Sequence, residues 1–178
     1  MKIVKRILII LAIIIAVPLI VALFVKKEYT IVREITINKP KQAVFDYIKL
    51  LKNQDNYSKW MKMDPNAKKT YTGTDGTVGF VSAWESTNKD VGAGSQTIAS
   101  IKEGDRIDID LHFLKPFEGK AKAYMSTEDA AGQTKVKWGF DGAMPYPMNI
   151  MLLSDKMCNM IGDDLQTGLN NLKALLEK

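Results

Sequence analysis

The sequence predicts an α+β protein: an antiparallel sheet of about seven strands covered by one long C-terminal helix, with a single transmembrane helix ahead of it. Three observations carry this. Residues 7–25 form an uncharged apolar run, ILIILAIIIAVPLIVALFV. Between Ala67 and Phe140 apolar and polar residues alternate, and turn residues recur about every ten positions. Beyond Asp155 the apolar residues step by three and four toward the end of the chain.

The apolar run comes first. At 1.5 Å per residue it is about 28 Å long, close to the ~30 Å hydrocarbon core of a bilayer. Lys2, Lys5 and Arg6 precede it, and Lys26 and Lys27 follow. It is longer than the apolar part of a cleaved signal peptide, and its end, Ala22-Leu23-Phe24-Val25, has no small-x-small site. It reads as an uncleaved signal anchor occupying residues 1–27, followed by one domain over 28–178. Pro18 is tolerated in a membrane helix. Such anchors usually keep the N-terminus inside, so the domain is expected outside the cytoplasm, on a bacterial cytoplasmic membrane.

The period then switches to two. TIVREITI (30–37) reads as a strand with Ile31, Ile35 and Ile37 on one face. Asn38-Lys39-Pro40 ends it, and Pro40 suits the first turn of a helix. Val44, Phe45, Ile48 and Leu51 follow at helical spacing, and a second short helix is expected over Gln54–Trp60. Strands are expected at 67–73, 77–86, 95–101, 106–113, 117–125 and 134–140, joined by tight turns into hairpins. In RIDIDLHF (106–113), Ile107, Ile109, Leu111 and Phe113 face in, while Asp108, Asp110 and His112 face out. In FEGKAKAYM (117–125) the inner face is Phe117, Gly119, Ala121, Ala123 and Met125, unusually small in its middle. Met157, Ile161, Leu165, Leu169, Leu172 and Leu176 form the stripe of the last helix, interrupted by Gly162 and Gly168. It alone is long enough to cover the sheet.

Composition removes several function classes. The 178 residues are 46% hydrophobic and 25% charged, as in a globular protein. The net charge of +5 is interleaved, without a basic stripe carrying aromatics, so nucleic acid is not an expected partner. One Cys (Cys158) and one His (His112) provide neither a disulfide nor a zinc site. His112 faces out, beside outward Asp108 and Asp110, so no acid–base pair points at a cavity. VGAGSQ (91–96) lacks the phosphate-loop pattern and leads into a strand. Ser82, Ser95 and Ser100 have no nucleophile setting. No cofactor motif is present. Arg33 shares the parity of Ile31 and Ile35; it reads as a solvent-reaching residue at the strand's beginning, with an acidic ligand headgroup as its alternative partner. Met148, Met151, Met157 and Met160 read as core filling before ligand contact.

The order of elements resembles the START-like helix-grip superfamily, and more closely the polyketide cyclase/SRPBCC group. The matching stretches are ITINKPKQAVFDYI with Trp60, GFVSAW (79–84), TKVKWGFDG (134–142) and GLNNLKALLEK (168–178). The resemblance implies a seven-stranded sheet wrapped around the C-terminal helix, with an apolar cavity between them. It implies no shared catalytic set, so fold does not supply function.

On this basis the expected cavity lining is Ile109, Leu111, Phe113, Gly119, Ala121, Ala123 and Trp138 from the sheet. Met157, Ile161 and Leu165 are expected from the helix, with Arg33 as the one polar contact. The expected function is non-catalytic, membrane-anchored binding of a hydrophobic or amphipathic, lipid-like small molecule. The alternative is a polyketide cyclase/dehydratase-like enzyme using the same space. The small inner residues of 117–125 are expected either to floor this cavity or to let the helix approach at Gly162 or Gly168.

Overall fold

The structure, a computed structural model, describes residues 2–178. Helix α1 spans Lys2–Phe24, with Pro18 inside it. It is long and apolar enough to cross a membrane. Only Val25, Lys26 and Lys27 separate it from strand β1, Glu28–Ile37. Helix α2 follows over Lys41–Ile48, entered through Pro40, and buries Val44, Phe45 and Ile48. The second helical piece is in fact two, α3 (Gln54–Tyr57) and α4 (Lys59–Met63). They are broken at Ser58, whose extended ψ of 130° turns the chain.

Six strands then run as consecutive hairpins: β2 (Lys68–Thr72), β3 (Val81–Glu85), β4 (Ala93–Lys102), β5 (Arg106–Lys115), β6 (Gly119–Ala130) and β7 (Gln133–Ala143). The sheet has seven strands in the order β1-β7-β6-β5-β4-β3-β2. Every neighbouring pair is antiparallel. Strand β3 is shorter than the alternation implies, because Gly79 at φ +87° bends the chain ahead of Val81. β6 begins two residues later than expected, so Phe117 lies in the turn before it and is 83% exposed rather than inward.

After β7 a 3₁₀ segment, Met148–Leu153, leads to α5, Lys156–Leu176. Leu165, Leu169 and Leu172 of α5 are fully buried against Ile37, Ile107, Met125, Val136 and Trp138 of the sheet. Each such side chain contributes about 1.5–3 kcal/mol. α5 lies alongside β1: Lys173 Nζ donates to the Thr36 carbonyl at 2.7 Å, and the Asn38 amide donates to Glu177 at 2.6 Å. Its two glycines mark the closest approaches. A methyl at Gly162 would collide with the Arg33 guanidinium, and one at Gly168 would come within 2.7 Å of the Trp138 ring. The helix thus closes on β1 and β7, not over the small residues of β6. Arg33 is not at the strand's beginning but in its middle, half-buried opposite Trp138, with Nη1 donating to the Val32 carbonyl at 3.0 Å.

The opposite flank of α5 holds the short helices. Lys59 pairs with Asp164, and Asn171 donates to the Tyr57 carbonyl at 3.0 Å. Tyr57 is fully buried with its hydroxyl on Met125 Sδ, and burial, then Tyr47, raises its pKa far above the usual phenol value. Burial, and after it the neighbouring Asp55 carboxylate, pushes Tyr71 up to about 12. Both phenols are therefore held neutral in the fold, while unfolded tyrosine titrates near 10. Their stabilisation is complete below pH 10 and is lost as pH rises toward 12 and beyond. The unfolding midpoint is expected to fall through that window. Thermal melts of Tyr57→Phe should show a shallower fall; an unchanged slope would remove Tyr57 from the explanation.

Candidate functional site

A cavity of about 200 Å³ lies between the inner face of β3–β7 and the helices α3, α4 and α5. Its walls follow from rows across the sheet. Trp84, Gly94, Phe113 and Gly119 pair in succession. A side chain at Gly94 would strike the Trp84 indole at 2.8 Å, so glycine here lets Trp84 lie across β4. Its indole N–H donates to the Val91 carbonyl at 3.2 Å, and its ring stands edge-on to Phe113 at 6.3 Å. Two rows further in on the same face, Ile109, Ala123 and Phe140 pair, and the small Ala123 deepens the floor. Trp138 forms the far wall, edge-on to both Tyr57 (5.7 Å) and Trp60 (6.3 Å). Trp60 and Met61 of α4 and Leu165 of α5 close the top, while Val91, Lys115 and Pro116 stand at the loop end.

The polar groups are few and neutral inside. Gln54 and Gln96 line the cavity and are each 4% exposed, and Ser58 lies beside them at 1%. Neither glutamine amide has a hydrogen-bond partner among the described residues. Neither is a sealed orphan, since among the described residues the one fully enclosed side-chain atom without a partner is Asn149 Oδ1. Both amides therefore meet the cavity space. An unpaired buried amide costs about 1–3 kcal/mol, a cost that a bound hydroxyl or carbonyl would offset. The charged lining residues are Asp90 and Lys115, toward the loops. Lys115 is already paired with Glu85 at 3.0 Å.

Of the expected lining residues, Ile109, Leu111, Phe113, Ala123, Trp138 and Leu165 meet at this cavity. Gly119, Ala121, Met157 and Ile161 do not. A Cβ built on Gly119 would meet nothing within 4 Å, because the strand starts there in open space. Ala121 shares the inner parity of Ala123 but lies outside the cavity lining, while its neighbours Lys120 and Lys122 face a separate depression of about 690 Å³ on the charged outer face. Ile161 packs on the core instead, and Met157 is half-buried. Arg33 is held under α5 at Gly162, outside the lining. His112 sits on the outer face, 3.3 Å from Glu118. Met148, Met151 and Met160 are exposed, belonging neither to core nor cavity.

The sequence reading missed Gln54, Ser58, Trp60, Met61, Gln96 and Phe140. Gln96 was findable, since it shares the inner parity of Ile98. Trp60 and Met61 were not, because their position depends on the turn at Ser58 and the pairing of Lys59 with Asp164.

A sheet curled around a C-terminal helix, with an aromatic cavity between them, defines a helix-grip domain. The chain belongs to the family described as polyketide cyclase/dehydrase and lipid transport, whose sequence model matches residues 28–177. No functionally curated protein matches it. Among solved structures it is similar to protein MLL2253 from Mesorhizobium loti, at 11% identity, with 84% of this chain and 97% of that one covered and a TM-score of 0.62. It is also similar to Ara h 8.0201, at 16% identity, 83% and 97% coverage and TM-score 0.58. A third is DynU16, from the dynemicin biosynthetic locus, at 11% identity and TM-score 0.59, covering 84% of this chain and 47% of that one. These likenesses establish the fold.

Proposed function

We propose that this protein is a membrane-anchored binding module that holds a small hydrophobic or amphipathic, lipid-like molecule without transforming it. The observation that carries this is the lining: aromatic and aliphatic walls, two unpartnered amides, and the ionisable residues confined to the loop end. The volume equals about seven waters. It suits a short chain or one ring system, or the tail of a longer amphiphile whose remainder leaves by the loops. Neutral amides suit a hydroxyl, ester or carbonyl headgroup better than a charged one.

Anchoring by α1 is supported by how its end is built into the domain. Asn149, fully buried, donates from Nδ2 to the carbonyls of Ala22 (2.7 Å) and Val25 (2.9 Å). Cleavage after α1 would strand that amide. On this reading the N-terminus, with Lys2, Lys5 and Arg6, stays in the cytoplasm and the domain lies outside, on a bacterial membrane.

The test is native mass spectrometry of the full chain purified in detergent, followed by calorimetry with 1-decanol and decanoate. A co-purified apolar molecule, and 1-decanol bound more tightly than decanoate, are expected. No co-purified molecule and no binding of either would sink the proposal. Gln96→Leu is expected to weaken 1-decanol roughly 2- to 10-fold, the worth of one hydrogen bond. The same calorimetry with decane should show little change. The enzyme reading is favoured only by the family's cyclase members. It requires a proton-transfer group facing the ligand, and chemical change of a bound polyketide-like substrate would establish it over mere binding.

A further inference from the structure

The end of the sheet where α1 attaches carries more exposed apolar surface than a wet face needs. β1 starts there at Glu28, opposite Ala143 at the end of β7. β6 starts there at Gly119, and β5 ends there at Lys115. The end of β5 exposes Leu114, and the turn after it exposes Phe117, the latter 83% exposed. With neighbouring strands about 4.8 Å apart, this turn lies only about 10–15 Å along the sheet from β1. The 3₁₀ segment leaves β7 at the same end and exposes Met148, Met151 and Leu153. Its position is set by Asn149, which donates to the carbonyls of Ala22 in the last turn of α1 and of Val25 just after it. Met148 and Met151 thus flank the residue that grips the end of α1, where Leu23 and Phe24 are exposed. The cavity residues Lys115 and Pro116 immediately precede Phe117.

We infer that this end is a membrane-docking face. The 3₁₀ segment and the Phe117 turn enter the interfacial layer of the phospholipid bilayer that α1 spans, and the cavity opens onto that layer. The inference rests on the reading of α1 as a retained anchor. What selects a bilayer over a protein partner is continuity: the exposed side chains of the 3₁₀ segment extend the apolar surface of α1 from the point where it joins the domain. Tyr146 and the flanking Lys26 and Lys27 supply the interfacial residue types expected at such a level. The cavity would then exchange its ligand with the lipid layer without passage through water.

The test uses the full chain carrying Cys158→Ser and one new cysteine at a time: Leu23→Cys, Met151→Cys, Phe117→Cys or Ala131→Cys. Ala131 lies in the turn at the opposite end of the sheet. Each is labelled with an environment-sensitive fluorophore and reconstituted into phosphatidylcholine–phosphatidylglycerol vesicles containing a lipid with a nitroxide near the headgroup. Labels at 151 and 117 are expected to lose emission in the same proportion as the label at 23, while that at 131 keeps its emission. If 23 is quenched but 151 and 117 behave like 131, the docking face is wrong and the anchor stands; a dry but unquenched label at 151 or 117 means a protein covers it and overturns the proposal equally. If 23 itself is unquenched, the anchor reading fails and the docking face falls with it.

Discussion

Replacing Ala123 by phenylalanine is expected to abolish ligand binding and leave the domain folded. Ala123 lies on the cavity floor, paired with Ile109 on one side and Phe140 on the other. Extra bulk in a filled core costs about 1–3 kcal/mol. Here the ring projects into empty volume, so the cost should fall below that range while the occupant loses its place. The affinity for 1-decanol should drop more than tenfold, beyond about 1.4 kcal/mol. Lys122→Phe is the matched control. It is the adjacent residue of the same strand but faces the wet outer side, and it should bind normally. Calorimetry on the two variants, with circular dichroism to confirm folding, decides the matter. Equal binding by both would place the ligand elsewhere.

Trp138→Ala should produce the largest loss of stability, about 3–5 kcal/mol as for other buried aromatic truncations. Its ring meets Tyr57 and Trp60 edge-on and rests against Gly168 of α5. Each aromatic pair adds about 0.5–1.5 kcal/mol beyond burial. For a chain of this size the unfolding midpoint should fall by about 6–20 °C. Trp138 therefore joins the α3–α4 pair, α5 and the sheet, besides walling the cavity. A shift of only a degree or two would mean that the helices are held by other contacts, chiefly the Lys59–Asp164 pair and the buried leucines of α5.

The strands, the two long helices and the membrane-length segment were legible because each depends on a local period. Ile107 and Ile109 face in and Asp108 and Asp110 face out as the alternation requires, since one face of the sheet is covered and the other wet. The site was legible only in part. Ile109, Leu111, Phe113, Ala123, Trp138 and Leu165 meet at one cavity, and reading an inner face needs no knowledge of what covers it. Gly119, Ala121, Met157 and Ile161 were misplaced because sequence parity identifies a face but not how far along it the cover extends. The cover is set by where α5 lies, and that depends on Gly162 admitting Arg33 and Gly168 admitting Trp138. The exposed methionines were misread for a related reason. Apolar residues after two prolines look like core until the position of the neighbouring α1 is known.

The chain has three tryptophans, and Trp60, Trp84 and Trp138 all border the one aromatic cavity. Its tryptophan emission therefore originates entirely around the space where a ligand would lie. A bromine-bearing amphiphile that enters should quench it, and one that stays outside should leave most of it unchanged. The protein thus carries its own occupancy gauge, and candidate ligands can be screened in a lipid environment without attaching a dye.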